Sequence, residues 1–162
     1  MPSRIPIEEG HTCPDHTCIS CSEGPEAAAL KQAEIMKRWG WIVHYVFEHE
    51  EQLEPFLNVH THGLTEKHGH PDLQICLAAK LGVPPGVVHT LIHAAVRQIE
   101  AGVVFKHGSQ SDQVMESYAV RFVDAKENGR PVLRILLPDK SGAFPGDPAC
   151  RGPLASQESF RT

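Results

Sequence analysis

The chain has 162 residues with 15 Lys+Arg, 20 Asp+Glu, 11 His and 5 Cys, and 41% of it is hydrophobic. A formal charge of -5 and the lack of any basic run exclude a general binder of nucleic acid or of an anionic membrane, because phosphate binding needs clustered Lys and Arg. No apolar stretch approaches the roughly 18 residues that span a bilayer, and no signal-peptide core follows Met1, so one ordinary cytoplasmic domain is expected.

Residues 1–25 read as an irregular arm rich in Cys and His, without apolar periodicity. Cys13, His16, Cys18 and Cys21 lie within nine residues, a soft ligand set that suits zinc. The spacing Cys13-x4-Cys18-x2-Cys21 also equals the plant-type iron–sulfur spacing, which needs a fourth cysteine from Cys76 or Cys150. The alternative is a set of reduced thiols without metal. An odd cysteine count and no secretion signal argue against disulfides.

Gly24-Pro25-Glu26 supplies a helix start, and a helix over 26–39 would turn Leu30, Ala33, Met36 and Ile35 toward a sheet before Gly40 ends it. Trp41 to Phe47 then alternates as a strand with both faces covered, and Trp39 and Trp41 are expected in the core. A second strand over 56–64 places Leu57, Val59 and Thr61 on one face and Asn58, His60 and His62 on the other. After a loop over 65–71 a third strand, 72–78, sets Leu73, Ile75 and Leu77 opposite Gln74 and Cys76. The short connections suggest an antiparallel meander.

Pro84-Pro85-Gly86 opens a helix over 85–101 whose stripe is Val87/Val88, Leu91/Ile92, Ala95/Val96 and Ile99. His89 and His93 fall on an adjacent face and read as solvated; Thr90 stands where a zincin would have Glu. Further on, a short strand is expected at 103–105, a loop or helical turn at 109–117, and strands at 118–124 and 132–137 joined as a hairpin by Glu127-Asn128-Gly129-Arg130. The body of the domain is then 26–140, with a Pro/Gly-rich tail over 141–162. The expected fold is α+β: an antiparallel sheet of five or six strands, able to curl toward a barrel, with two packed helices and irregular termini.

The sharpest candidate site is His60-Thr61-His62, because two imidazoles two residues apart on a strand point to one side. Glu66, His68 and His70 from the following loop could complete a divalent metal site for zinc or iron. The spacing His60-x-His62-x3-Glu66 resembles the first metal motif of cupins, but the helical period over 85–101 stands where their second motif lies on strands. No nucleophile elbow, Walker loop or Gly-x-Gly-x-x-Gly is present.

The segment from His60 to Leu73, with Gly63-Leu64-Thr65 and Gly69-His70-Pro71-Asp72-Leu73, resembles the signature of an uncharacterised bacterial family, domain of unknown function 4262. Cys18-Ile19-Ser20-Cys21, Gly40-Trp41, and Leu136-Leu137-Pro138-Asp139 through Gly142-Ala143-Phe144-Pro145-Gly146-Asp147-Pro148 match other parts of it in order. The chain departs from the commoner pattern at His60, where an aromatic is usual, at His62, where an aliphatic is usual, and at Asp72, which replaces Glu. The first two departures create the His-x-His pair. The resemblance implies no activity.

The favoured function is metal binding through the strand pair and its loop, with metal-dependent catalysis if an open coordination position remains. A rival is a non-catalytic binding or regulatory module with a zinc-binding or redox-responsive cysteine arm. A third reading takes the Thr61-x-Gly63-Leu64 strand as analogous to flavin-binding split barrels. The expected partner is a small-molecule ligand or another protein.

Overall fold

A computed structural model describes residues 24–49 and 54–160. Helix α1 (Pro25–Trp39) leads into β1 (Ile42–Glu48) and β2 (Phe56–His62); a short helix α2 (Leu64–His68) precedes β3 (Leu73–Ala78). Helix α3 (Pro85–Glu100) then connects to β4 (Gln110–Met115), β5 (Tyr118–Glu127) and β6 (Arg130–Leu136), with 3-10 turns at Ala79–Leu81 and Pro153–Ser156. Among the described residues, no helix is long and apolar enough to cross a membrane.

The six strands form one sheet in the order β1-β2-β3-β6-β5-β4. Two antiparallel meanders, β1-β2-β3 and β6-β5-β4, therefore meet at the centre, where β3 and β6 run parallel over the pairs Leu73↔Leu133 and Gln74↔Arg134. This corrects the expectation of a purely antiparallel sheet that could curl toward a barrel: the sheet is mixed and open. The cause is the long return through α3, β4 and β5, which brings β6 beside β3 in the same direction, as only a crossover connection can.

One sheet face carries the main core. Leu57, Val59, Leu73, Ile75, Leu77, Leu133 and Ile135 pack there against Val88, Ile92, Ala95, Val96 and Ile99 of α3, the stripe that the 3.6-residue period dictates. Burying each large aliphatic side chain stabilises by roughly 1.5–3 kcal/mol. Helix α1 behaves differently. Only Ala28 is buried, while Leu30 is 70% and Trp39 is 56% exposed, so the expected inward stripe points to solvent and only Trp41 of the two tryptophans joins the core.

The segment 109–117 holds strand β4 in place of the expected loop or turn, whereas 103–105 forms no strand. In β4 the polar sequence Gln-Ser-Asp-Gln precedes Val114, and a register shift between Ser111 and Met115 breaks the alternation that would mark an edge strand. The β5–β6 hairpin forms as expected, with Asn128 at φ 45 and Gly129 at φ 79 in the turn, the two positive values that such tight hairpins require.

The second sheet face is more polar and is partly covered by the chain after β6. Phe160 stacks on Phe56 with ring centroids 4.2 Å apart, and Gln157 bonds the backbone of Leu137 at both its carbonyl and its N–H. The site lies on this face.

A buried three-histidine group

Alternation puts Asn58, His60 and His62 on the second face, as expected for β2, because Leu57 and Val59 fill the core on the first. The register then aligns one residue from each of β1, β2, β3 and β6. His44 of β1 pairs with His60, His60 with Gln74 of β3, and Gln74 with Arg134 of β6. All four are buried, so a polar row runs across four of the six strands, and at its end Arg134 donates to the Gln157 and Phe160 carbonyls of the tail.

His44, His60 and His62 each offer a ligand nitrogen, and these three atoms all lie within 4.8 Å of one another. Their rings meet edge to face with centroids 4.9 to 5.5 Å apart. His44 and His60 are buried and His62 is half-buried. His44 Nε2 is buried without a hydrogen-bond partner among the described residues. A buried polar atom left unpaired is destabilising, so a ligand at this nitrogen would remove a cost.

Burial removes water from the rings and favours their neutral forms. It holds His44 down at about 3, helped by His62 and the Arg130 guanidinium, and His60 down at about 2, helped by His62, His44 and Arg130. His62 is lowered chiefly by burial and then by Arg130, against the opposing pull of Glu127, Asp72 and Glu66. Neutral imidazole is the form that binds a metal.

The hydrogen bonds also fix the tautomer of His60. Arg134 can only donate, and its Nε bonds Gln74 Oε1 at 2.8 Å. Gln74 Nε2 must then donate to Asn58 Oδ1 at 3.1 Å, and Asn58 Nδ2 to Glu48 Oε1 at 3.3 Å. Asn58 Oδ1 is thereby an acceptor, so the ring proton of His60 lies on Nδ1, which donates to it at 3.0 Å. His60 Nε2 stands 3.5 Å from Glu127 Oε1. Orienting a ligand imidazole through its other nitrogen is the usual outer-shell arrangement of metal sites.

Glu127 is buried at the end of β5, and Arg130 Nε donates to its Oε2 at 2.5 Å. Arg130 also donates to Asp72 Oδ2 at 2.8 Å and to the Thr61 carbonyl at 2.7 Å. Asp72 in turn accepts from the Thr61 hydroxyl and from Leu64 N–H. This net holds the end of β2 beside the β5–β6 turn.

The group differs in membership from the one expected on sequence. His60 and His62 are joined by His44 rather than by Glu66, His68 and His70. The loop is in fact helix α2, which carries Glu66 and His68; His68 Nε2 stands 3.9 Å from Glu100 Oε1. His70 has both nitrogens in use: Nδ1 donates to the Pro71 carbonyl at 2.8 Å and Nε2 accepts from Phe105 N–H at 3.0 Å. Cys13, His16, Cys18 and Cys21 lie outside the described residues. Cys76 and Cys150 are buried free thiols.

Sequence reasoning missed His44 and Glu127. His44 interrupts the otherwise apolar inward row Ile42, His44, Val46, a weak signal that becomes meaningful only with the register to β2. On α3, His89 and His93 are not simply solvated: their Nε2 atoms lie 3.0 Å apart, with Tyr45 stacked on His89 and Trp41 tilted against His93.

Fold and cluster together define an α+β protein with a mixed six-stranded sheet and a three-histidine group that could hold a metal ion. The chain belongs to the DUF4262 family, a domain of unknown function, which matches residues 35–151. No curated protein and no solved structure matches it.

Proposed function

We propose that the protein binds a divalent metal ion, zinc or iron, through His44, His60 and His62. The observation behind this reading is the group of ligand nitrogens mutually within 4.8 Å on a buried face, beside a buried His44 Nε2 that has no hydrogen-bond partner among the described residues. Imidazole suits zinc, iron, copper and nickel. Burial supplies the neutral form at ordinary pH without competition from protons. Three histidines by themselves leave a coordination position for water or a small-molecule ligand, and a metal with such a position can polarise a substrate or activate water. On this reading the protein is a metal-binding protein whose site is suited to metal-dependent catalysis.

The test is metal content per chain of the full-length protein, expressed without a histidine tag. The double variant His60→Ala/His62→Ala should lose the bound ion, while Cys13→Ser/Cys18→Ser/Cys21→Ser should keep it. The opposite pattern would move the metal to the cysteine arm and favour the regulatory-module reading. No uptake after reconstitution with iron, zinc and manganese would end the metal reading altogether.

A further inference from the structure

Resting on the three-histidine reading, we infer that Glu127 is a fourth protein ligand of the same ion, so that the site is three imidazoles and one carboxylate drawn from both halves of the sheet. The chain of donors that begins at Arg134 engages His60 through Nδ1 and leaves Nε2 beside Glu127 Oε1. Glu127 Oε1 stands 3.5 Å from His60 Nε2 and both residues are buried, a spacing at which one ion can take the two atoms as ligands. Donors about 2.1 Å from a tetrahedral metal stand about 3.4 Å apart, close to the 3.5 Å between these two atoms, while the three imidazole nitrogens lie within 4.8 Å of one another.

Arg130 prepares the carboxylate for this role. It takes Oε2 and leaves Oε1 directed at the ring, and its bonds to Asp72 and Thr61 tie the Glu127 turn to the strand that carries His60 and His62. The carboxylate also offsets part of the charge of a divalent ion. A fourth protein ligand closes a four-coordinate ion such as structural zinc, whereas a six-coordinate ion such as iron keeps two positions open for water or substrate. The identity of the ion thereby separates a structural from a catalytic use of the site.

The experiment uses cobalt(II) loading of the full-length chain, followed by its visible spectrum and binding affinity, in wild type, Glu127→Gln, Glu127→Asp and His60→Ala/His62→Ala. Glu127→Asp keeps the charge and withdraws the oxygen, so it remains informative if Glu127→Gln does not fold. The expected result is a changed cobalt spectrum in each folded Glu127 variant and an affinity loss in Glu127→Gln beyond the roughly 10–100-fold typical of outer-shell partners. An unchanged cobalt spectrum in the folded Glu127 variants, with binding still abolished by the double histidine variant, overturns the fourth ligand and leaves the three-histidine site standing. A wild-type protein that takes up no cobalt or zinc removes both. Nitrogen NMR of the apo protein adds an independent check: a proton on His60 Nε2 instead of Nδ1 would also overturn the inference.

Discussion

His44 and His60 are direct cross-strand partners of β1 and β2, and this one pairing turns a two-histidine strand motif into a three-nitrogen group. Antiparallel partners on one face approach to about 4.5–5.5 Å at Cβ, close enough for two imidazoles to share an ion. His62, two residues along, completes the triangle because strand side chains repeat every second residue.

Replacing His44 by alanine should therefore weaken zinc binding by more than the 10–100-fold expected of an outer-shell residue. Titration calorimetry on the full-length chain measures it. An affinity within a few fold of wild type would remove His44 from the ligand set. Far-UV circular dichroism confirms that the sheet survives.

The metal-free protein should lose stability on acidification from pH 7 toward pH 4. Folded His44 and His60 stay neutral down to about 3 and about 2, while the same rings in the unfolded chain take up protons near 6.5. Between these values the unfolded state binds more protons, so stability is full above 6.5 and falls as pH drops. Each ring contributes a slope of up to about 1.4 kcal/mol per pH unit. Urea unfolding at pH 7, 6 and 5 should show the loss, and His60→Asn should reduce it while His44 keeps its share. A wild-type curve that stays level over this range would contradict the buried neutral histidines.

Gln74→Leu should affect both stability and the site. It leaves Arg134 Nε and Asn58 Oδ1 each without a bond they now make, for a loss of about 2–4 kcal/mol. It also frees Asn58 to turn its amide, so the proton of His60 is no longer fixed on Nδ1, and metal affinity should fall about 10–100-fold. Thermal unfolding and metal titration of the same sample give both numbers. Ile92→Ala in α3 is the control: about 2–5 kcal/mol of stability lost with metal affinity unchanged.

Gly63→Ala should be destabilising by several kcal/mol, well above the usual cost of a positive φ. Gly63 has φ +103, and a Cβ there would lie 2.4 Å from the Gly40 carbonyl oxygen and 3.0 Å from Trp41 Cα, both backbone. Because Gly63 follows His62 directly, the shift that relieves the clash should also misplace that ring. A variant with wild-type melting temperature would show that the two glycine-bearing turns do not touch in solution.

The sequence made some of this legible and hid the rest for physical reasons. Alternation in β2 revealed His60 and His62 on one face because it is a local property of the strand. Helix α3 was equally plain, since its stripe is continuous over four turns. His44 was hidden because its role depends on the β1–β2 register, which no local pattern specifies. Glu127 read as part of a turn, and only the parallel pairing of β3 with β6, set by contacts far apart in sequence, brings it to His60. Helix α1 misled because its apolar residues are mostly exposed, so periodicity indicated a buried face that the sheet does not cover. The exposed polar edge strand β4, with its register shift, gave too little alternation to be read.

The seam between the two meanders consists of only two residue pairs, Leu73↔Leu133 and Gln74↔Arg134. His44, His60 and His62 belong to one side of it, and Glu127, Arg130 and Arg134 to the other. Arg130 already crosses it to Asp72 and Thr61, and Arg134 to Gln74. An ion held by His60 and Glu127 would rivet the halves at the same place, since its full ligand set exists only while they are joined. Ion occupancy would then act as a clasp whose strength follows the free metal concentration, adding about 2.7 kcal/mol at a hundredfold excess over Kd.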